Sequence, residues 1–304
     1  MHESTALTWD DLRYTLCLAN AGSLARAAKV LGVDHTTVGR RVEAAERALG
    51  VRLFLRASTG YTLTPDGERL LAPMRAVEAA VLTVTRAADV RSEGLTGLVR
   101  VTSPETFGVT WLAPQLAAFG LEHPGLNVEL TPSGQVLDLG RGEAEIAVRF
   151  YRSRTQNLVV QRVADVGYGL YASHAYLADH PVSSPEDLRT HRLLLPPGRS
   201  IEGDWLARWA PGVRPAFASE LSVALLGAAR AHAGVAVLPR YLGDPEASLC
   251  RLPLPDPPSE PVWLTVHEDL RDAPRVRAVL AFLAARLRAD RGVLRGEGGA
   301  DLSS

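Results

Sequence analysis

The sequence predicts a multidomain α plus α/β protein: an all-helical front part followed by a larger part that alternates strands and helices. Three observations carry this reading. Near the N-terminus two short helical segments are separated by a one-glycine turn. An apolar seam with helical spacing follows, and a strand–helix rhythm then fills most of the remaining chain. The 304 residues give room for two or three domains, and 46% hydrophobic content fits sizeable cores.

In chain order, Thr8-Trp9-Asp10-Asp11-Leu12 reads as a helix start, with Thr8 as N-cap and two acids in the first turn. Cys17 lies in that helix's apolar stripe with Leu12, Leu16 and Ala19, as a buried free thiol would. The next stretch, SLARAAKVLGVDHTTVGRRV from Ser23 to Val42, holds two helices. Ser23 is an N-cap candidate, Leu24, Ala27, Ala28 and Leu31 recur at helical spacing, and Gly32 supplies a left-handed stop. Asp34 caps the second helix, where Val38 and Val42 stack at i, i+4. So short a turn makes the helices cross steeply, which is helix-turn-helix geometry.

With Val38, Val42 and Ala45 turned inward, His35, Thr36, Gly39, Arg40 and Glu43 face outward, and Thr37 and Arg41 lie on the flanks. Small hydrogen-bonding groups around one arginine suit a major groove, where Arg reads guanine and Thr bonds a base edge or touches a thymine methyl. The helix N-terminus around Thr37 attracts phosphate. The same pattern also fits an ordinary hairpin with a solvated charged face. His35 fits a base or phosphate contact and a plain solvent-facing histidine equally well.

Leu49-Gly50 ends that helix and Val51 to Arg56 continues as an extended basic segment. Ser58 to Gly67 adds a turn and a short β stretch, a wing, with Pro65 opening the next helix. From Ser23 to Thr64, seven basic residues (Arg26, Lys29, Arg40, Arg41, Arg47, Arg52, Arg56) stand against three acids. This local basic footprint matters because the whole chain carries a net charge of only −1.

At this point the chain resembles the LysR-type transcriptional regulators. Trp9, Leu12, Ser23, Ala27-Ala28, Leu31-Gly32-Val33, Val38, Val42, Glu46, Leu49-Gly50, Leu53-Phe54, Arg56, Leu63-Thr64 and Gly67 follow the family's order, and the likeness runs to about residue 290. The resemblance implies a winged helix-turn-helix over 1–64 on a pseudo-palindromic, double-stranded operator. Its candidate DNA contacts are Ser23, His35, Thr36, Thr37, Arg40, Arg41, Arg52 and Arg56. Where relatives often carry Ser-Gln-Pro/Ser-Ala-Val-Ser, this chain has Asp34-His35-Thr36-Thr37-Val38-Gly39. The cap survives that change, and the base-reading set does not, so no operator preference carries over.

From Pro65 to about Ala88 a helix is expected, with Pro73 a potential kink. Leu70, Met74, Val77, Val81, Val84 and Ala88 fall at heptad spacing. Such a seam packs on its own domain or against a partner. The resemblance implies a linker helix over 65–90 that pairs subunits through Leu70, Met74, Val77, Val81 and Val84. A homodimer, or a tetramer as a dimer of dimers, would place two recognition helices on a two-fold operator.

RSEGLTG, within 91–97, reads as a hinge linker. Strands are then expected at Leu98–Thr102, Asn127–Leu130, Glu145–Phe150, Gly167–Ala172, Leu193–Leu195, Gly234–Pro239 and Pro261–Val266. Helices are expected at Trp111–Phe119, Leu137–Arg141, Ser222–Ala233 and Arg275–Arg288, with further starts at Ala175 and Pro185. The rhythm implies a parallel sheet flanked by helices. The resemblance implies an effector-binding domain over 98–290 with two lobes, like type 2 periplasmic binding proteins. One lobe would hold about 98–166 and 263–290, the other about 167–262, with a disordered tail over 291–304.

A cleft between two α/β lobes, at the carboxyl ends of strands, is where a small ligand sits. Ser103, Thr106, Ser133, Arg149 and Arg199 follow strands and are the candidate effector contacts, Thr106 foremost by resemblance. Two arginines with several hydroxyls suit an anionic small molecule. Glu105 runs against that unless it points away.

No G-x-S-x-G, P-loop, G-x-G-x-x-G after a strand, H-x-x-x-H or H-E-x-x-H occurs, so no catalytic site, metal site or cofactor is expected. Lys29 is the sole lysine, which excludes lysine chemistry in the larger part. Cys17 and Cys250 match no metal or redox spacing. The N-terminus resembles no export signal and no stretch reaches a membrane span, so a cytoplasmic protein is expected, with no membrane partner. The competing expectation is a small-molecule-binding protein whose hairpin contacts another protein.

Overall fold

The computed structural model describes residues 6–57, 60–89, 95–198, 200–212 and 214–297. The chain divides into two compact units, Met1–Arg86 and Ala87–Ser304.

In the first unit, α1 (Trp9–Ala21) starts at a reciprocal capping box. The Thr8 hydroxyl accepts the Asp11 amide at 3.3 Å, and the Asp11 carboxylate accepts the Thr8 amide at 3.2 Å. α2 (Leu24–Leu31) and α3 (His35–Leu49) follow, and each of the three helices ends on a left-handed glycine, Gly22, Gly32 and Gly50. Leu18, Ala27, Val38 and Ala45 are fully buried between them. Strands β1 (Phe54–Ala57) and β2 (Gly60–Leu63) pair antiparallel, Phe54 opposite Leu63, as the wing. Glu46 pins its entry by accepting the amides of Leu53 at 2.7 Å and Phe54 at 3.2 Å.

The wing's return closes on the turn after α1, where the Tyr61 amide donates to the Gly22 carbonyl at 2.8 Å. Gly60 has φ +133°, and a Cβ there would lie 2.4 Å from that carbonyl oxygen, so the approach needs glycine. α4 (Pro65–Asp89) then runs unbroken through Pro73. Its first turns belong to the unit's own core: Met74 is buried there and Leu70 packs against it. Val77 and Val84 are exposed. The expected pairing seam is therefore corrected at its start, because Leu70 and Met74 are spent on covering α1 to α3.

The second unit holds two five-stranded sheets. Its strands and helices are β3 (Gly97–Ser103), α5 (Glu105–Phe107), a π turn over Gly108–Leu112, α6 (Ala113–Glu122), β4 (Leu126–Pro132), β5 (Ile146–Arg149), β6 (Leu158–Val166), β7 (Tyr168–Ser173) and α7 (His174–Asp179). These are followed by β8 (Leu193–Leu195), α8 (Ile201–Leu206), β9 (Phe217–Ala218), α9 (Ser222–Arg230), β10 (Val235–Pro239), α10 (Arg240–Gly243), β11 (Leu249–Arg251), β12 (Glu260–His267), α11 (Pro274–Ala289) and α12 (Arg291–Arg295). One lobe orders its strands β4-β3-β5-β12-β6 and the other β11-β7-β10-β8-β9. Neither sheet is purely parallel as expected. β12 runs antiparallel to β5 and β6, and β7 antiparallel to β10 and β11, because the chain crosses between lobes and re-enters each sheet from the far side.

Two local expectations are corrected. Residues 137–141 form turns instead of a helix, because the Asp138 carboxylate accepts the amides of Gly140 at 2.8 Å and Arg141 at 3.3 Å, bonds that compete with a helical ladder. The expected tail begins late: α12 buries Leu294, whose carbonyl accepts the Gly167 amide at 2.9 Å, and Arg291 donates to the Val163 carbonyl at 3.0 Å. Residues 298–304 lie outside the described residues, as does most of the expected hinge linker, 91–97. No described helix is long and apolar enough to cross a membrane.

Gly60→Ala should destabilise the first unit by about 1–3 kcal/mol, the scale of a forced backbone conformation. Gly120→Ala, in open space on α6, should stabilise by about 0.5–1 kcal/mol. Denaturant unfolding followed by circular dichroism checks both; an unchanged Gly60 variant would show that the close approach is not a constraint.

Candidate nucleic-acid interface and ligand cleft

α3 begins at Asp34, whose carboxylate accepts the Thr36 amide at 2.8 Å and the Thr36 hydroxyl at 2.6 Å. Those two bonds hold the carboxyl below its usual range. Thr36 thereby commits its hydroxyl proton to the cap, leaving that oxygen free to accept. His35, Thr36 and Arg40 are exposed and Thr37 is half-buried on the same turn. Arg40 makes no ion pair among the described residues. Arg52 and Arg56 are exposed on the wing, beside an exposed Leu55.

Two of the expected DNA contacts are tied down instead. Ser23 caps α2, its hydroxyl accepting from the Arg26 amide at 3.3 Å and Nε at 3.2 Å. Arg41 donates at 3.2 Å to Asp11, whose carboxylate is buried under α1. Burial pushes the Asp11 carboxyl up, but the Thr8 hydroxyl and amide together with Arg41 outweigh it and hold the group below its ordinary 3.8. Arg41 thus fastens α3 to α1.

In the second unit a cleft of about 280 Å³ lies between the lobes. Thr106, Ser133 and Arg149 line it. Thr106, on α5 just past β3, accepts the Ser222 amide of the opposite lobe at 3.1 Å. The Ser133 hydroxyl, following β4, accepts the Gln135 amide at 3.0 Å. Arg149 ends β5 and is only 6% exposed. Its Nη1 donates to the Val148 carbonyl at 3.1 Å, while Nη2 is buried without a hydrogen-bond partner. Desolvation lowers the guanidinium's proton affinity, and the Tyr151 hydroxyl works against that.

Ser103 is not among the lining residues. It is fully buried and donates to the Pro104 carbonyl at 3.2 Å, and a Cβ on Gly108 would come within 2.4 Å of its hydroxyl. The turn into the π segment closes over it. Arg199 lies outside the described residues. The cleft also recruits Tyr168, Glu202, Glu220, Ser222 and Tyr241. Ser222 and Tyr241 follow β9 and β10, so the strand-end rule reaches them; β9, at two residues, is too short to show in the sequence. Tyr168 and Glu202 carry no local signal.

A winged helix-turn-helix unit in the same chain as a two-lobed binding domain defines a DNA-binding protein gated by a small ligand. Residues 9–68 match the family model for the bacterial regulatory helix-turn-helix protein, lysR family, and residues 92–288 match the LysR substrate binding domain. The chain belongs to the LysR family of transcriptional regulators. It is 29% identical over 283 residues to the Mau operon transcriptional activator of Paracoccus denitrificans, covering 91% of this chain and 96% of that protein. An HTH-type transcriptional regulator of Xanthomonas campestris is 28% identical over 311 residues, covering 92% and 86%. Among solved structures, the Vibrio cholerae virulence activator AphB superposes with a TM-score of 0.62 at 21% identity, over 91% of this chain and 99% of that one. Full-length OxyR from Pseudomonas aeruginosa gives 0.64 at 23% identity, over 92% and 94%. The protein is therefore a DNA-binding transcriptional regulator under small-molecule control, not an enzyme.

Because Asp11 is held below its ordinary value, its contribution to stability is present above about pH 4 and is lost as pH falls through its folded-state value. Asp11→Asn should therefore destabilise the protein clearly at pH 7 and much less at pH 3. Arg41→Ala should cost about 1 kcal/mol by unpairing that carboxylate. Urea titrations at the two pH values check this, and a pH-independent gap for Asp11→Asn would refute it.

Proposed function

We propose that α3 is the recognition helix, with Arg40 the principal base reader, His35, Thr36 and Thr37 beside it, and Arg52 and Arg56 holding phosphates on either side. The observation that carries this is the contrast on one helix between Arg41, locked onto Asp11, and Arg40, exposed and without an ion pair among the described residues. Val77, Val81 and Val84 would pair two copies along the outer part of α4, since Val77 and Val84 are exposed and half-buried Val81 continues their spacing. Two paired copies, or a tetramer of such pairs, would meet a pseudo-palindromic operator. A cytoplasmic location accords with that task.

The effector would occupy the interlobe cleft, an acidic group engaging Arg149 with Thr106 and Ser133 as hydroxyl partners. Its occupation would bias how far the lobes close, and with it the placement of the paired DNA-binding units.

The decisive experiment is binding of the purified protein to DNA from upstream of its own gene, against random DNA, across a salt series. Arg40→Ala should lower affinity for the specific site about 5- to 150-fold and leave random DNA nearly unaffected. Arg52→Ala should weaken both alike and reduce the salt slope by about one. Equal losses on both DNAs for Arg40→Ala would remove it from base reading, and a flat salt response in the parent protein would point to a protein partner.

Val77→Glu combined with Val84→Glu should convert the oligomer to monomer in sedimentation. The same double variant should lose operator affinity through lost avidity while its circular dichroism stays unchanged. An oligomer that survives both charges pairs elsewhere.

A further inference from the structure

The cleft's own charges constrain what it holds more narrowly than Arg149 does alone. Arg149 presents one buried, unmatched N–H direction from the first lobe. Around it, Glu105, Glu202 and Glu220 also line the cleft, and none has an ion-pair or hydrogen-bond partner among the described residues. Glu202 stands close enough to Glu260 to add to the burial that already raises the Glu260 carboxyl. Glu260 in turn accepts the hydroxyl of Tyr168, another cleft residue. Among the described residues, nothing neutralises the carboxylates of Glu202 and Glu220 on the lobe-two side of the cleft.

A simple acid would gain a charge-assisted bond from Arg149 and meet three carboxylates along the walls, Glu105 and Glu220 exposed and Glu202 half-buried. A simple amine would satisfy a carboxylate and leave the buried guanidinium unmatched. Between the two charged regions the walls are aromatic. Phe107 lies edge to face with Phe150 and with Tyr241, at 5.5 and 5.6 Å between ring centres. Such walls accept an apolar or flat midsection, and Tyr rings also attract an ammonium over their faces.

We propose that the cleft's ligand is a small zwitterion, with a carboxylate or similar acid at Arg149 and a protonated amine toward Glu202 and Glu220, joined by an apolar segment. This rests on the cleft being the effector site, as proposed above. Its cationic requirement is independent of that reading.

The test is calorimetric titration of the full-length protein with matched probes. 4-Methylbenzoate carries only the acid and 4-methylbenzylamine only the amine. 4-(Aminomethyl)benzoate carries both at opposite ends, and L-phenylalanine carries both on one carbon. At least one of the two zwitterions should bind tenfold or more tightly than either single-charge probe. Glu202→Gln with Glu220→Gln should erase that advantage while leaving 4-methylbenzoate as tight as before or tighter. Arg149→Met should weaken the zwitterion and the acid alike, with Arg149→Lys partly restoring both and confirming a folded site.

Tight, Arg149-dependent binding of 4-methylbenzoate that no zwitterion exceeds overturns the zwitterion and leaves the effector site standing. Failure of both zwitterions to bind at millimolar concentration also overturns it. Acid affinity unchanged in Arg149→Met sinks the effector-site assignment itself.

Discussion

The second unit is organised around an uncompensated charge. Arg149 is carried on β5, a strand buried at all four positions and hydrogen-bonded on both sides, parallel to β3 and antiparallel to β12 with Trp263 opposite the arginine. Two ladders leave the side chain no freedom to retreat toward solvent. Burying a guanidinium without a carboxylate is costly, and the partners the fold offers are neutral, the Val148 carbonyl at Nη1 and the Tyr151 hydroxyl, while Nη2 is unmatched. Such a group earns its place when something else completes it.

In the first unit the bonds that fix the element junctions point inward. Asp11, Glu46 and Thr64 accept or donate to fix α1, the wing entry and the start of α4, the last through a hydroxyl that donates to the Arg52 carbonyl at 2.6 Å and accepts the Gly67 amide at 3.0 Å. Gly60 and Gly67 let backbone approach backbone where no side chain would fit. With geometry set largely by these inner atoms, Arg40 on the outer face of α3 is left without an ion pair among the described residues, while Thr36 shares in the cap. Outer residues of α3 such as Arg40 can therefore change without disturbing the scaffold.

The same division explains what could be read from the sequence. Caps and glycine stops are local signals, and Thr8, Ser23, Asp34, Gly32 and Gly50 occupy the roles their types imply. Buried strands such as β10 announce themselves as apolar runs bounded by Gly234 and Pro239. β6 did not, because its apolar residues fall in pairs, Val159-Val160 and Val163-Ala164, and it is a strand only by virtue of the long ladder with β12. The antiparallel insertions were invisible for the same reason, as pairing partners lie far apart in the chain. In the cleft, Thr106, Ser133 and Arg149 follow strands and were legible. Ser103 misled because one residue's difference along β3 separates the lining from the floor. Glu202 and Tyr168 enter the cleft through the relation of the two lobes, which no local pattern encodes.

That relation is held by polar and apolar contacts together, because the buried residues of the two lobes form one continuous cluster, from Val99 and Phe107 to Leu170 and Val237. The chain passes between lobes at Gly167 and again between β11 and β12, and the first passage lies against α12. The Gly167 amide donates to Leu294, and the Arg240 amide donates back to Gly167 at 2.8 Å. A side chain at Gly167 would meet the Arg295 carbonyl at 2.5 Å, so the crossing backbone lies directly against the helix. Across the cleft the Ser222 amide donates to Thr106, the Phe107 and Tyr241 rings meet edge to face at 5.6 Å, and the Tyr168 hydroxyl donates to Glu260. Opening the cleft would therefore separate apolar surface as well as hydrogen bonds, and a ligand shifts the balance by what it adds on closure. A ligand bridging Arg149 to the opposite wall would add a charged contact at the buried guanidinium, which the protein's own links across the cleft do not supply. The energy of closure then depends chiefly on what fills the cleft, which is the property a ligand-controlled regulator requires.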